Sequence, residues 1–235
     1  MSNGLSPRLA AVAAKVIQGR PVADVGTDHA KLPAWLVRTG LVPFALAMDV
    51  ASGPIMTAQK ATLALAPKIE VRQSDGLDQL ADGEADTVTI CGMGGGTMTG
   101  ILSRGLPRLK SVQRVVLQPQ SMWADVRSVM LSLGFECTEA QLVSDRSKLY
   151  VVEQWDAGPS VSDWTDEDLR WGRLIRQQPD PLYRTWLLKE LADVDLGLAK
   201  LLRQSREDHP DVGRLRRDRS RIVKECDRLA YSRVR

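Results

Sequence analysis

The stretch VADVGTDHAKLPAWLV, residues 22–37, determines how the rest of the chain is interpreted. It opens as a short β-prone run that stops at a glycine, and an apolar pattern with helical spacing follows. Strand, glycine turn and helix form the repeating unit of parallel α/β sheets. Asp24 and Asp28 lie on either side of Gly26, where such sheets bind their ligands. The ligand must therefore be one that tolerates acids at this turn.

Composition limits the possible classes of protein. The 235 residues can form one large α/β domain and a smaller second one. The net charge of +3 does not by itself predict a polyanionic partner. Cys91, Cys137 and Cys226 lie far apart without a CxxC pair, which argues against a disulfide framework and a zinc site. His29 and His209 are too distant in sequence to suggest a local metal motif. We therefore expect no bound metal.

No apolar stretch approaches the roughly 20 residues that cross a bilayer. The early apolar patch LAAVAAKVI contains Lys15 and follows Ser6-Pro7, so it predicts an amphipathic helix and not a signal peptide. These features predict a soluble cytoplasmic protein without a membrane partner. The oligomeric state is left open, with a monomer favoured.

Seven β-prone runs occur between about residues 20 and 155. The first five are followed by helical segments or turns, which predicts a mostly parallel sheet covered by helices. The last two predict an antiparallel pair at the sheet edge. This is the layout of a class I, Rossmann-like methyltransferase fold. The runs are PVADVG, FALAMDV, KIEVRQSDG, ADTVTICG, QRVVLQP, FECTEAQLV and LYVVEQW.

The pattern becomes helical after about residue 160. Thr165-x-x-Asp168 predicts a capping box. Two heptad-like apolar stripes, separated by SREDHP, predict an antiparallel coiled-coil hairpin. We therefore predict two domains, residues 1–160 and 161–235. The stripes comprise Leu187, Leu191, Val194, Leu198 and Leu201, then Val212, Leu215, Arg219, Ile222, Cys226 and Leu229.

Acids follow each of the first three predicted strands. Asp24 and Gly26 end the first, Asp49 ends the second, and Asp75-Gly76 ends the third. Asp49 can accept ribose hydroxyls, and Asp75 can accept from an adenine amino group. A dinucleotide loop would need GxGxxG, and Asp28 would repel a pyrophosphate. S-adenosylmethionine, which is cationic and has no phosphate, therefore fits better than NAD.

Simpler interpretations of these residues remain open. Asp28 can be an N-cap of the next helix, and Asp49 and Asp75 can be ordinary turn acids. A lone histidine at a helix start, such as His29, is more often structural. Three acids at successive strand ends are more specific than any one of them.

The fourth strand leads into a glycine-rich segment, which can bring bare backbone close to a cofactor or a flat substrate. The alternative is a flexible loop. The fifth strand ends in Gln118 and Pro119, which we expect at the rim of the substrate site.

The segments VADVGTDHAKLP, AMDVASGP, SDGL, CGMGG, LQPQ and SDRSKLYVVE together resemble the bacterial tRNA adenine-N1 methyltransferases that modify adenine 22, in the D-arm of tRNA. The resemblance extends from about Ser6 to Glu153, and that family also has a C-terminal coiled coil. It implies S-adenosylmethionine as cofactor and tRNA as partner. This chain has Lys31 where the family often has tyrosine, and Gln120 where it often has asparagine. The implied cofactor residues are Asp24, Gly26, Asp28, His29, Asp49, Asp75, Gly76, Cys91, Gly92, Met93 and Gly94.

The same resemblance makes Asp28 the candidate catalytic residue. A paired or stacked adenine hides its N1 atom, so the base must be flipped out. N1-methyladenosine is cationic, so a carboxylate beside the base would stabilise the developing charge or accept an N6 proton.

Positive charge is concentrated at the end of the chain. Residues 214–235 contain nine Lys or Arg and three acids, whereas the rest contains 23 and 26. We expect Arg214, Arg217 and Arg221 to contact tRNA phosphates, although a solvated helix face is the alternative. Three other functions remain open: methylation of another RNA, a protein or a small molecule; RNA binding without catalysis; and NAD-dependent reduction, which the missing phosphate loop disfavours.

Overall fold

The computed structural model describes residues 4–158, 163–203 and 208–231. All seven predicted strands form one sheet in the order β3-β2-β1-β4-β5-β7-β6. Strands β1 to β5 are parallel, and β6 and β7 run antiparallel at one edge, which confirms the class I methyltransferase fold. The strands are β1 Val22–Val25, β2 Ala45–Asp49, β3 Ile69–Gln73, β4 Thr87–Met93, β5 Arg114–Pro119, β6 Phe135–Asp145 and β7 Lys148–Ala157.

Helices cover both faces of the sheet because the parallel strands are apolar on both sides. One core cluster joins α4 and α6 to the sheet, and the other joins α1, α2 and α3 to the opposite face. Ser6 caps α1 and Pro7 is its first residue, as predicted. The first eight helices of the described residues are α1 Pro7–Ala13, α2 Lys31–Arg38, α3 Ser52–Thr62, α4 Gly95–Arg104, α5 Leu106–Leu109, α6 Trp123–Ser132, α7 Asp166–Trp171 and α8 Arg173–Gln177.

The β6–β7 hairpin closes through a turn at Arg146 and Ser147. Both residues have positive φ, +49° and +65°, as the central residues of tight hairpin turns require. The sequence has no Asn-Gly or Asp-Gly pair here, so the exact turn could not be predicted.

The chain divides into two compact units, residues 1–176 and 177–235. The first unit continues beyond the boundary predicted at residue 160, because a buried side chain of α6 binds α7. Arg127 pairs with Glu153 of β7 at 2.8 Å and donates to the carbonyl oxygens of Leu169 and Arg170. The predicted capping box of Thr165 and Asp168 starts α7.

The second unit contains the two predicted long helices, α9 Pro181–Arg203 and α10 Pro210–Tyr231. Their apolar stripes are buried or half-buried, except at Arg219, which is exposed and pairs with Asp195 of α9 at 2.8 Å. The Tyr183 hydroxyl near the start of α9 donates to Glu225 near the end of α10, so the helices are antiparallel. The SREDHP break lies partly outside the described residues.

In the part of the chain that the structure describes, no helix is long and apolar enough to cross a membrane.

Candidate active site

The strand order reverses between β1 and β4, and ligands of open α/β sheets bind at such a point. Asp24 of β1 lies opposite Thr89 of β4, whose hydroxyl donates to its carboxylate at 2.5 Å. Burial raises the pKa of Asp24 to about 6, although the Thr89 hydrogen bond opposes that shift. The carboxylate therefore stays ionised at neutral pH but is costly to bury.

The turn after β1 brings the backbone into the reversal point. Gly26 has φ of +74°, and a Cβ atom there would lie 2.8 Å from Cε of Met93. The amides of Gly26 and Thr27 both donate to the carbonyl oxygen of Met48 at 2.9 Å. The backbone conformation therefore favours glycine here, whereas the Met93 methyl group is the flexible end of a side chain and could move aside.

Asp28 projects from this turn without capping α2. Helix α2 begins at Lys31 with Ala30 as its N-cap residue and no side-chain cap, so the N-cap interpretation of Asp28 is wrong. The Asp28 side chain is 71% exposed, and Oδ1 lies 3.5 Å from Nε2 of His29. Its φ of +53° is unusual for a residue other than glycine, and such conformations cluster at functional sites.

The second and third strand-end acids have different surroundings. Asp49 accepts from the amides of Asp28, at 3.3 Å, and Ala51, at 3.0 Å, so it holds the β1 turn in place. Asp75 pairs through Oδ1 with Arg104 at 2.7 Å, which leaves its second carboxylate oxygen to accept from a ligand. Gly76 has φ of +61°.

The glycine-rich segment is not a flexible loop, because Gly95 and Gly96 open α4 with Gly94 as the N-cap residue. A Cβ atom on Gly95 would lie 2.3 Å from the carbonyl oxygen of Ser121, so this glycine is required by packing. Gly92, with φ of +77°, lies in a strand irregularity that exposes backbone at the end of β4. Burial, with the nearby Asp24 charge, raises the pKa of the Cys91 thiol, which is therefore neutral.

The predicted contact of Gln118 and Pro119 with substrate is not what the structure supports. Both residues are buried at the end of β5. The Gln118 carboxamide oxygen accepts from Nη1 of Arg8 at 2.6 Å, so Gln118 positions Arg8. Gln120 is the exposed residue at this strand end, and its amide donates to the Gly92 carbonyl oxygen at 2.8 Å.

A cavity of about 330 Å³ lies between α1, the turn after β1, the start of α2 and the end of β4, and Asp49 and Asp75 do not line it. Asp24, Asp28, His29 and Gly92 line it, together with Arg8, which sequence interpretation missed. Arg8 lies in α1, 16 residues before the first strand-end acid, and no sequence motif indicates that its side chain reaches the end of β5. Among the described residues, no group of three or more His, Cys, Asp or Glu side chains could hold a metal ion.

Comparison with known proteins supports the same site. Residues 5–152 match the family model described as a methyltransferase domain. The tRNA (adenine(22)-N(1))-methyltransferase of Bacillus subtilis (strain 168) is 32% identical over 173 residues, which cover 73% of each chain. This chain belongs to that family. A tRNA methyltransferase assigned in Mycoplasma pneumoniae is 28% identical over 181 residues, 69% of this chain and 83% of that protein.

The fold of the family is also seen in a solved relative. Sp1610 of Streptococcus pneumoniae, assigned as a tRNA (m1A22) methyltransferase, is 30% identical with a TM-score of 0.87. The alignment covers 95% of this chain and 100% of Sp1610. Sp1610 has also been solved in complex with S-adenosyl-L-methionine, and that structure has a TM-score of 0.85.

The other residues singled out in the sequence lie partly at the cavity and partly away from it. Arg214, Arg217 and Arg221 are exposed on α10, in the second unit, whereas Arg233 and Arg235 lie outside the described residues. Lys31 is exposed at the start of α2 and lines the cavity. Arg127 is fully buried in its ion pair with Glu153.

Proposed function

We propose that this protein transfers a methyl group from S-adenosylmethionine to N1 of adenine 22 in tRNA. The observation that carries the proposal is the arrangement of Asp24, Asp49 and Asp75 at three adjacent strand ends around the Gly26 turn, in a chain of this family. The cytoplasmic location expected from the sequence follows from the same proposal.

The residues present fit the cofactor. Gly26 lines the cavity with φ of +74°, and no glycine loop of the phosphate-binding type precedes α2. Asp49 would accept the ribose hydroxyls, and the second carboxylate oxygen of Asp75 would accept from the adenine amino group. Asp24 places negative charge where a cationic ligand would lie. The backbone from Cys91 to Gly94 would line the methionine end.

Bound S-adenosylmethionine supplies an electrophilic methyl group. The protein must then orient N1 of the target adenine in line with that methyl group, so most of the catalysis is positioning. Asp28 extends into the cavity from a rigid turn, and its carboxylate would face the adenine ring as positive charge develops there. It would also accept a proton from the N6 amino group.

The second unit would bind tRNA through α10. Arg214, Arg217 and Arg221 are exposed on this helix, where they could contact phosphates. A single flipped base offers too small a contact to offset unstacking and the cost of association, so a second docking surface is needed.

Mass spectrometry of nucleosides from tRNA incubated with the protein and S-adenosylmethionine tests the proposal. We expect N1-methyladenosine to form only when all three are present. If the tRNA stays unmodified while the protein methylates another protein or a small molecule under the same conditions, the proposal is contradicted.

A further inference from the structure

A second and larger cavity, of about 690 Å³, lies beside the candidate active site. It is formed by the start of α1, one face of α2 and the β6–β7 turn, all within the first unit. Its volume is within the range of about 300–1,000 Å³ that is common for small-ligand pockets. Arg8, Leu9 and Lys31 line both cavities, so the two are neighbours.

The larger cavity is lined by an excess of cations. Arg8, Lys31, Arg38 and Arg146 contribute four positive charges, and Asp145 contributes the single acid. Asp145 is buried and accepts from the Arg8 backbone amide at 3.4 Å, so it faces the protein more than the cavity.

The exposed cations of this cavity have no acidic partner among the residues that the structure describes. Lys31, Arg38 and Arg146 form no ion pair with any described residue, in contrast to other arginines of the same unit. Arg72, for example, pairs with Glu70 and Glu84 at 2.6 Å. Like charges held together without partners repel each other, so their grouping indicates an anionic ligand.

Aromatic side chains lie among the cations. Lys31, Trp35 and Arg38 are spaced at i, i+4 and i+7 and therefore share one face of α2. Arg8 lies over the Tyr150 ring at 5.5 Å from its centroid. Cations combined with partly exposed aromatic rings are typical of single-stranded RNA sites, where bases stack and phosphates are neutralised.

We propose that this second cavity holds the nucleotides next to the target adenine, with Arg38 and Arg146 on their phosphates and Trp35 available for stacking. An RNA whose flipped base enters the smaller cavity must leave the adjoining nucleotides at its border, which Arg8 and Lys31 form. The identity of the RNA as the methylated tRNA rests on the proposed function. The expectation that the ligand is anionic rests only on the residues that line the cavity.

The test compares a double variant, Arg38→Gln with Arg146→Gln, with a matched control, Arg20→Gln with Lys68→Gln. The control residues are exposed basic residues that lie just before β1 and β3, at the amino ends of these parallel strands. Binding of transcribed tRNA and of a single-stranded RNA oligonucleotide would be measured by fluorescence anisotropy at several salt concentrations, and cofactor binding by calorimetry.

We expect the double variant to bind both RNAs about 10-fold more weakly near 0.1 M salt. The slope of log affinity against log salt should fall by about 1–2, since each lost phosphate contact contributes about 0.7–0.9. The KM for tRNA should rise more than kcat falls, and cofactor affinity should change by less than about 2-fold. The control should match the wild type.

Equal RNA affinity of the double variant and the control would overturn the inference and would assign the cavity to another anionic partner, such as an acidic protein segment. If the wild type binds the cofactor but methylates no tRNA, the proposed function fails, and the oligonucleotide measurement still decides whether the cavity binds RNA.

Discussion

At the scale of single residues, two carboxylates of the candidate site differ in their surroundings. Asp24 is buried and held by Thr89, whereas Asp28 is exposed on a strained turn one residue beyond Thr27. A buried acid with fixed partners suits the binding of a cationic cofactor. An exposed acid that no helix end requires suits contact with a substrate that enters and leaves.

Replacing Asp28 with Asn should therefore reduce kcat by about 10²- to 10⁴-fold, because the amide cannot stabilise positive charge or accept a proton. Cofactor affinity, measured by calorimetry, should change by less than about 3-fold. Asp82→Asn is the control, since Asp82 is exposed in the segment before β4. A loss of cofactor affinity as large as the loss of rate would make Asp28 a cofactor ligand.

Asp24 should make the free protein less stable as pH rises. Its folded pKa of about 6 lies above the ordinary value of 3.8, so the folded state binds more protons between these values. Its contribution to stability is therefore present below about pH 4 and is lost as pH rises through about 6. We expect Asp24→Asn to gain stability over the wild type by about 1–3 kcal/mol between pH 4 and 7. Urea unfolding at each pH measures this difference.

The Asp24→Asn variant should also bind S-adenosylmethionine more weakly. If the difference in stability between the variant and the wild type does not depend on pH, Asp24 has the same pKa in the folded and unfolded states, and the prediction is contradicted. Because Asn can still accept from Thr89, the comparison isolates the buried charge.

At the scale of elements, buried polar contacts connect segments that are distant in sequence. Gln118 of β5 fixes Arg8 of α1, and Arg127 of α6 joins Glu153 of β7 to the backbone of α7. The first of these contacts places a cation at the border of both cavities. The second explains why the first unit extends through α7.

Arg127→Met should destabilise the protein by about 3–5 kcal/mol, because it leaves the Glu153 carboxylate buried without its partner. Arg127 is 0% exposed and Glu153 is 1% exposed, so solvent cannot replace the lost contact. The double variant Arg127→Met with Glu153→Gln should recover part of that loss, as measured by urea unfolding. A single variant as stable as the wild type would mean that the pair contributes little.

The periodicity of the sequence predicted the elements well and the side-chain environments less well. All seven strands, the Ser6-Pro7 helix start and the Thr165 capping box follow from local patterns, which depend on neighbouring residues only. The burial of Gln118 and Arg127 depends on partners 110 and 26 residues away. No local pattern contains that information, so the sequence could not indicate that these two polar side chains are buried.

At the scale of the whole molecule, the proposed cofactor residues lie in the first unit, and the proposed RNA contacts lie in both units. Every proposed cofactor residue precedes residue 95, whereas α10 presents Arg214, Arg217 and Arg221 on the second unit. The catalytic residues and the docking residues can therefore be changed independently.

Charge reversal of Arg214, Arg217 and Arg221 to Glu in the full chain should weaken tRNA binding by at least about 10-fold and flatten its salt dependence. Lys189→Glu with Lys200→Glu, on exposed positions of α9, is the control. Circular dichroism would check that both variants stay helical, and anisotropy would measure binding. Unchanged tRNA affinity in the triple variant would leave α10 with another role, such as self-association.

Primer extension on tRNA treated with the protein and S-adenosylmethionine detects the proposed product at nucleotide resolution, because a methyl group on N1 blocks base pairing. We predict a stop one nucleotide before adenine 22, on its 3′ side, that is absent with the Asp28→Asn protein and with a transcript carrying guanine at position 22. Full-length extension through adenine 22, or a stop elsewhere in the tRNA, would contradict the account.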